Sequence, residues 1–162
     1  MIKMIKIIAV LFLVQMLLGC AHQFISPTTG PTAKIKFINN TSFVVLFRAE
    51  DNENCERKER YGVLAVVKAD TSIVPSEKNV IVYADNTLVF NVQGNIIGSR
   101  SITCNMTQQL FVENGKEYEV EFNANESSCF VELHRIEHDA KIVKRIALEA
   151  KKNPKYCVRL GD

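Results

Sequence analysis

Residues 80–92 read Val80-Ile81-Val82-Tyr83-Ala84-Asp85-Asn86-Thr87-Leu88-Val89-Phe90-Asn91-Val92. Two short runs rich in β-branched and aromatic side chains flank a turn signal, Asp85-Asn86-Thr87, and that combination predicts a β-hairpin. The same texture extends in both directions. Upstream, Lys34-Ile35-Lys36-Phe37 alternates polar and apolar residues, the period of a half-buried strand. Asn39-Asn40 then marks a turn, and Ser42–Glu50 and Gly62–Lys68 read as more buried strands. Downstream, residues 102–112 hold one or two strands and Glu113-Asn114-Gly115 forms a turn. Tyr118, Val120 and Phe122 alternate with Glu117, Glu119 and Glu121; after Asn123–Glu126, Cys129, Val131 and Leu133 alternate again. Short strands separated by turn residues about every 8–12 positions predict a mainly all-β chain, folded as an antiparallel, immunoglobulin-like β-sandwich.

The stretch 140–152, AKIVKRIALEAKK, supports two readings. Ile142, Val143, Ile146 and Ala150 share one face of a C-terminal helix, whereas Ile142, Ile146 and Leu148 share one side of a strand. We take the strand, which completes the sandwich; Pro154 ends either element.

Composition bounds the class. The chain has 162 residues, 20 Lys+Arg against 18 Asp+Glu, 47% apolar residues and no Trp. That length suits one domain with a core of its own. The apolar fraction excludes wholesale disorder, and the charge balance excludes a basic nucleic-acid binder.

Residues 1–20, MIKMIKIIAVLFLVQMLLGC, have a different character. Lys3 and Lys6 precede an apolar run, Ile7–Leu18, broken only by Gln15. The run is short for a membrane span, which needs about 20 apolar residues. A basic start, a short apolar stretch and a small residue describe a secretory signal peptide. Its end, Leu17-Leu18-Gly19-Cys20, resembles the lipobox of bacterial lipoproteins, although Leu18 is bulky for its position. The resemblance implies cleavage before Cys20, a diacylglyceryl group on its sulfur, and a third acyl chain, such as palmitate, on the new N-terminus. Two or three chains make membrane release negligible, since each buried methylene contributes about 0.8 kcal/mol. Ala21, rather than Asp, follows the cysteine. By the sorting rule of Gram-negative lipoproteins, that implies the outer membrane; the rule does not set the face, for which we expect the periplasmic side. The expected organisation is a signal peptide over 1–19, a lipidated Cys20 and flexible tether over 20–32, and one sandwich domain over 33–162. The tether, rich in Pro, Gly and Thr, would reach about 40 Å when extended. Without the leader, 18 bases face 18 acids, so no strong electrostatic steering is expected.

If Cys20 carries lipid, Cys55, Cys104, Cys129 and Cys157 remain, an even number in an oxidising compartment, and two disulfides follow. Three connectivities exist; we favour Cys55–Cys104 and Cys129–Cys157, the latter tying down the C-terminal tail. A four-Cys zinc site is disfavoured by the absence of any CxxC pair.

Two segments carry candidate chemistry. His134-Arg135-Ile136-Glu137-His138 matches H-x-x-E-H and so resembles the inverted zinc-peptidase motif, which implies His134 and His138 as ligands and Glu137 as base. That chemistry needs a helix. On a strand the two imidazoles stand about 13 Å apart, too far to share an ion, and the segment before them alternates as a strand does. The second segment, Glu50–Arg60, packs five acids, three bases (Arg57, Lys58, Arg60) and Cys55 into one loop. It reads as a solvated loop or as a binding loop on a rigid scaffold. Glu117, Glu119 and Glu121 form an acidic row that reads as a solvated face rather than a cation site. Asn39-Asn40-Thr41, Asn105-Met106-Thr107 and Asn125-Glu126-Ser127 fit the glycosylation acceptor pattern, which a bacterial lipoprotein is not expected to use. No G-x-S-x-G elbow and no Gly-rich phosphate loop occurs.

The expected function is therefore that of a non-enzymatic, lipid-anchored binding or structural module of the cell envelope, with no cofactor. The membrane, through the anchor, and an envelope protein are its expected partners. Two alternatives remain open. One is an inhibitor of a cell-wall hydrolase such as lysozyme, with the 50–60 loop filling the enzyme's cleft. The other is a zinc-dependent hydrolase resting on His134, Glu137 and His138.

Overall fold

Alternating apolar residues favour strands, and each strand must bury its apolar face against another layer. A computed structural model of the chain describes residues 23–50, 62–68, 76–96, 102–125, 127–139 and 142–149, with the backbone of 151–152. The strands in chain order are β1 (Thr32–Asn39), β2 (Val45–Glu50), β3 (Gly62–Val67), β4 (Ser76–Tyr83), β5 (Asn86–Ile96), β6 (Ile102–Val112), β7 (Glu117–Ala124), β8 (Cys129–Asp139), β9 (Ile142–Leu148) and the short β10 (Lys151–Lys152). They build two sheets, one in the order β4-β1-β7-β8-β9 (sheet I) and one in the order β10-β6-β5-β2-β3 (sheet II). The chain is thus the expected all-β sandwich. Its pairings are antiparallel except between β1 and β7, which run parallel from Lys34↔Glu117 to Asn39↔Phe122.

The core lies between the sheets. Ile35 and Phe37 from β1, and Tyr118, Val120 and Phe122 from β7, meet Val45, Phe47, Phe90 and Val92 of sheet II. The Phe37 ring packs on Phe47 at 4.6 Å between centroids and edge-on to Phe90 at 6.2 Å, separations typical of favourable aromatic pairs. On β5, Gly94 faces Phe122: a Cβ there would stand 3.4 Å from the ring's Cζ. Glycine gives that ring its place in the core.

The segment 80–92 is not a hairpin. β4 pairs with β1 (Ile35↔Val80), while β5 pairs with β6 and β2. Ala84-Asp85 instead carries the chain from sheet I to sheet II. Val80 and Val82 on one arm, and Phe90 and Val92 on the other, are buried towards the same core from opposite sheets. The turn residues are suited to either geometry. Asp85 takes φ 57°, a conformation Asp adopts more readily than bulky residues. Its N–H donates to Val112 O at 2.6 Å, and its Oδ1 accepts from the Asn114 N–H at 3.0 Å. The turn at 113–116 makes the reverse crossing. Gly115, at φ 70°, donates its N–H to Thr32 O at 2.8 Å.

Three further expectations are settled. Residues 102–112 form one strand. Residues 142–148 form β9 rather than a C-terminal helix, because β8 offers a free edge that pairs from Leu133↔Leu148 to Asp139↔Ile142. Within the segment expected as a tether, 20–32, the described part begins docked: Gln23 bridges to Val63, the Phe24 N–H donates to Val63 O at 3.1 Å, and the Phe24 ring packs on the core. One aromatic side chain outweighs the turn-rich residues that follow it.

The disulfide also differs from the favoured pairing. Cys104 on β6 bonds to Cys129 on β8, with Cα atoms 6.1 Å apart, so neither Cys55–Cys104 nor Cys129–Cys157 forms. The topology brings the starts of β6 and β8 to one end of the sandwich, which sequence spacing does not reveal. The bond staples sheet I to sheet II, as the bridge of immunoglobulin domains does. Cys55 and Cys157 lie outside the described residues, as do Cys20, Arg57, Lys58 and Arg60.

Candidate functional site

The outward face of sheet I gathers most of the charged residues singled out above. Alternation along β7 points Glu117, Glu119 and Glu121 outward, between Lys34 and Lys36 of β1 and His134 and His138 of β8. Each acid is matched. Lys34 Nζ lies 3.6 Å from Glu117, and Lys36 Nζ 3.3 Å from Glu119. Arg145 of β9 reaches over β8 to Glu119 (Nε to Oε2, 2.8 Å) and Glu121. His134 lies 3.6 Å from Glu121, and His138 3.2 Å from Glu117. The hydrogen bond from His138, ahead of the nearby Lys34 charge, holds the Glu117 carboxyl below the usual carboxylate range despite some burial. The acidic row is a neutralised ladder of ion pairs, not a bare cation site.

The H-x-x-E-H segment is strand, not helix. His134 and His138 sit four residues apart on one face and serve different glutamates. Glu137 belongs to the opposite face, where Arg135 Nη2 donates to it at 2.8 Å. This geometry does not bring the three groups to one ion. Among the described residues, no cluster of three or more His, Cys, Asp or Glu is arranged to hold a metal.

Near the crossing turns, Tyr118 is buried and its hydroxyl accepts the Glu113 N–H at 2.9 Å. Burial, above all, raises its pKa. The tyrosine pins the β6–β7 turn and touches no cleft.

A site that the sequence reading missed lies on sheet II. Ser42, Phe43 and Val44, Leu46 of β2, Gln93 and Asn95 of β5, and Thr103 and Asn105 of β6 line an open cleft of about 760 Å³, within the range of small-ligand sites. Among the described residues, no lining residue is charged; residues 97–101, between β5 and β6, lie outside them. Three devices fix its walls. First, Asn39, fully buried, donates from Nδ2 to Phe43 O at 2.5 Å and to Val67 O at 3.1 Å. Its Oδ1 accepts from the Thr41 N–H (2.9 Å) and Thr41 Oγ1 (2.7 Å), so the 40–44 rim is tied to β3. Second, Asn91, also fully buried, donates to Asn105 Oδ1 at 2.6 Å and to Thr107 Oγ1 at 3.3 Å. With its carbonyl oxygen engaged by Asn91, Asn105 has its amide hydrogens left to donate. Third, Cys104, also in the lining, carries the inter-sheet disulfide.

The signal was present in the sequence. Asn91, Gln93 and Asn95 alternate on β5, and Thr103, Asn105, Thr107 and Gln109 alternate on β6. The register places them side by side, Gln93 opposite Asn105 and Asn95 opposite Thr103. Uncharged amides and hydroxyls at every second position read as mere solvated residues until the pairing is known. Two acceptor-like motifs are accounted for here: Asn39 and Thr41 brace the rim, and Asn105 lines the cleft. In the third, Asn125 Oδ1 caps the β7–β8 turn by accepting the Ser127 and Ser128 N–H groups.

No protein-family model matches the chain, and no curated protein matches it.

Proposed function

We propose that the protein is a bacterial lipoprotein of the outer membrane, anchored through acyl chains on Cys20, whose sandwich faces the periplasm as a non-enzymatic binding module of the cell envelope. The observation that carries this reading is the lipobox-like Leu17-Leu18-Gly19-Cys20 immediately ahead of a rigid, disulfide-stapled domain. The docking of Gln23 supports a specific orientation. Three residue steps separate Cys20 from Gln23, so the lipid attachment point stands within about 11 Å of the docked strand edge. That edge, at Val63, belongs to the end of sheet II where β2 finishes and β3 begins. The uncharged cleft opens at the other end, where β2 begins, β5 finishes and β6 begins. A short leash at one end therefore directs the cleft away from the bilayer.

Crosslinking in intact cells, scanned over the exposed positions Val44, Phe111, Phe130 and Val143, tests the module role. A reproducible adduct from at least one position is expected. A solitary monomer from every position contradicts it.

A further inference from the structure

We propose that the cleft on sheet II binds an uncharged saccharide. This deepens the binding-module reading and rests on it. The chemistry of the lining selects the ligand. A charged ligand needs an opposite charge once its water is removed, and among the described residues none lines this cleft. A purely apolar ligand would strand the amides of Gln93, Asn95 and Asn105 and the hydroxyls of Ser42 and Thr103 without partners. A saccharide meets both conditions: its hydroxyls exchange hydrogen bonds with amides and hydroxyls, and its C–H faces cover Phe43, Val44 and Leu46.

The position of the cleft separates this ligand from an added peptide strand. The cleft lies on the sheet's face, across β2, β5 and β6. β2 and β5 are interior strands whose backbone groups are already paired on both sides. Backbone pairing with an extended peptide, which needs a free edge, has no purchase on those two strands; β10 covers the outer edge of β6 only at Gln108 and Gln109, and a peptide added there would lie beside the cleft rather than on its floor. The site is also preorganised. Asn39 holds the rim, and Asn91 holds the Asn105 amide in its donating orientation. Neither asparagine needs to meet the ligand; both are positioning residues. Prior fixing of this kind spares the binding step its ordering cost.

The test uses the full chain in detergent and titration calorimetry. The probes are neutral oligosaccharides of glucose, galactose, mannose and N-acetylglucosamine, with oligogalacturonate as an anionic control. Saturable binding of at least one neutral probe is expected, and about the same affinity at low and high salt, because no ion pair is involved. Asn105→Ala and Gln93→Ala should each weaken binding about tenfold, the effect of losing one well-placed hydrogen bond. Lys36→Ser, on the far sheet, should leave binding unchanged. A single cooperative unfolding transition well above the assay temperature shows that each cleft variant is folded; Gln93→Ala should match the wild type, while Asn105→Ala, which takes a partner from the buried Asn91 amide, should unfold at a lower midpoint.

Failure of every neutral probe overturns the proposal. So does equal or tighter binding of oligogalacturonate, or wild-type affinity in folded Asn105→Ala. A protein adduct at Val44 in cells, with no saccharide bound by the purified chain, overturns the saccharide assignment and leaves the module reading standing. Saccharide binding by a chain that gives no adduct in cells upholds the cleft and counts against the assembly role.

Discussion

At the scale of single residues, buried asparagines do the work that hydrophobic patterning cannot. Asn39 ends β1 with no solvent exposure, yet all of its polar atoms are engaged. A buried amide is tolerated only when it is satisfied in this way. Replacing it with Ala leaves Phe43 O and Val67 O without their donor, and Asn39→Ala should cost about 2–4 kcal/mol. Chemical denaturation measures that loss, with amide exchange expected to rise across residues 40–44. Tyr118→Phe removes one acceptor from the Glu113 N–H and should cost about 1 kcal/mol, read as a small drop in denaturation midpoint. Neither role was legible in the sequence. Asn39 looked like a turn residue but is the last residue of β1, and its burial and its long-range bond to Val67 are decided only when the two sheets close. The alternating glutamates of β7 were legible, because a strict period of two fixes their face whatever the partner strands are.

At the scale of elements, strand identity was easier to read than strand pairing. β1, β7 and β8 follow directly from alternation, and β3 from a continuous apolar run. The 80–92 segment shows where that reasoning ends. Its turn chemistry is correct, but a turn of this kind joins either two paired strands or two strands of opposite sheets. The choice belongs to β1 and β7, which enclose the space that β4 and β5 face. The H-x-x-E-H match failed for a related reason: a motif fixes spacing, and the element fixes geometry. On strands, the ladder of sheet I joins half-exposed bases to glutamates of which Glu119 and Glu121 keep only 14% and 12% side-chain exposure, so it lies between a surface ion pair and a buried one. Arg145→Ala, which strips both glutamates of a cation, should lower stability by about 1–3 kcal/mol, with part of the difference lost at high salt. The His138–Glu117 contact adds a pH dependence. A carboxyl held below its unfolded value of 4.5 stabilises the fold above that pH and ceases to as the pH falls through the lowered value. The stability gap between wild type and Glu117→Gln should therefore be full at neutral pH and smaller at an acidic pH well below 4.5. Denaturant midpoints at the two conditions measure it; an equal gap at both would contradict the assignment.

At the scale of the whole molecule, the two sheets are joined across the core by the Cys104–Cys129 disulfide, and Phe24 packs against that core. The Cys104–Cys129 bridge closes a loop of 25 residues, for which chain entropy gives about 3 kcal/mol of stabilisation. The Cys104→Ser, Cys129→Ser double variant should lose roughly that amount, and peptide mapping of the unreduced wild type should recover the two cysteines in one linked fragment. Composition and patterning sufficed for the sandwich class because they depend on local periodicity. They did not suffice for the disulfide or for the cleft, both of which depend on strands remote in sequence meeting at one end of the fold. The location in the cell rests on the leader alone. Its most direct test is the intact mass and N-terminal peptide of the protein extracted from the envelope. The predicted result is a chain that starts at Cys20 and carries a diacylglyceryl group with a third acyl chain. A chain that starts elsewhere, or an unmodified Cys20, would contradict the anchor and the orientation built on it.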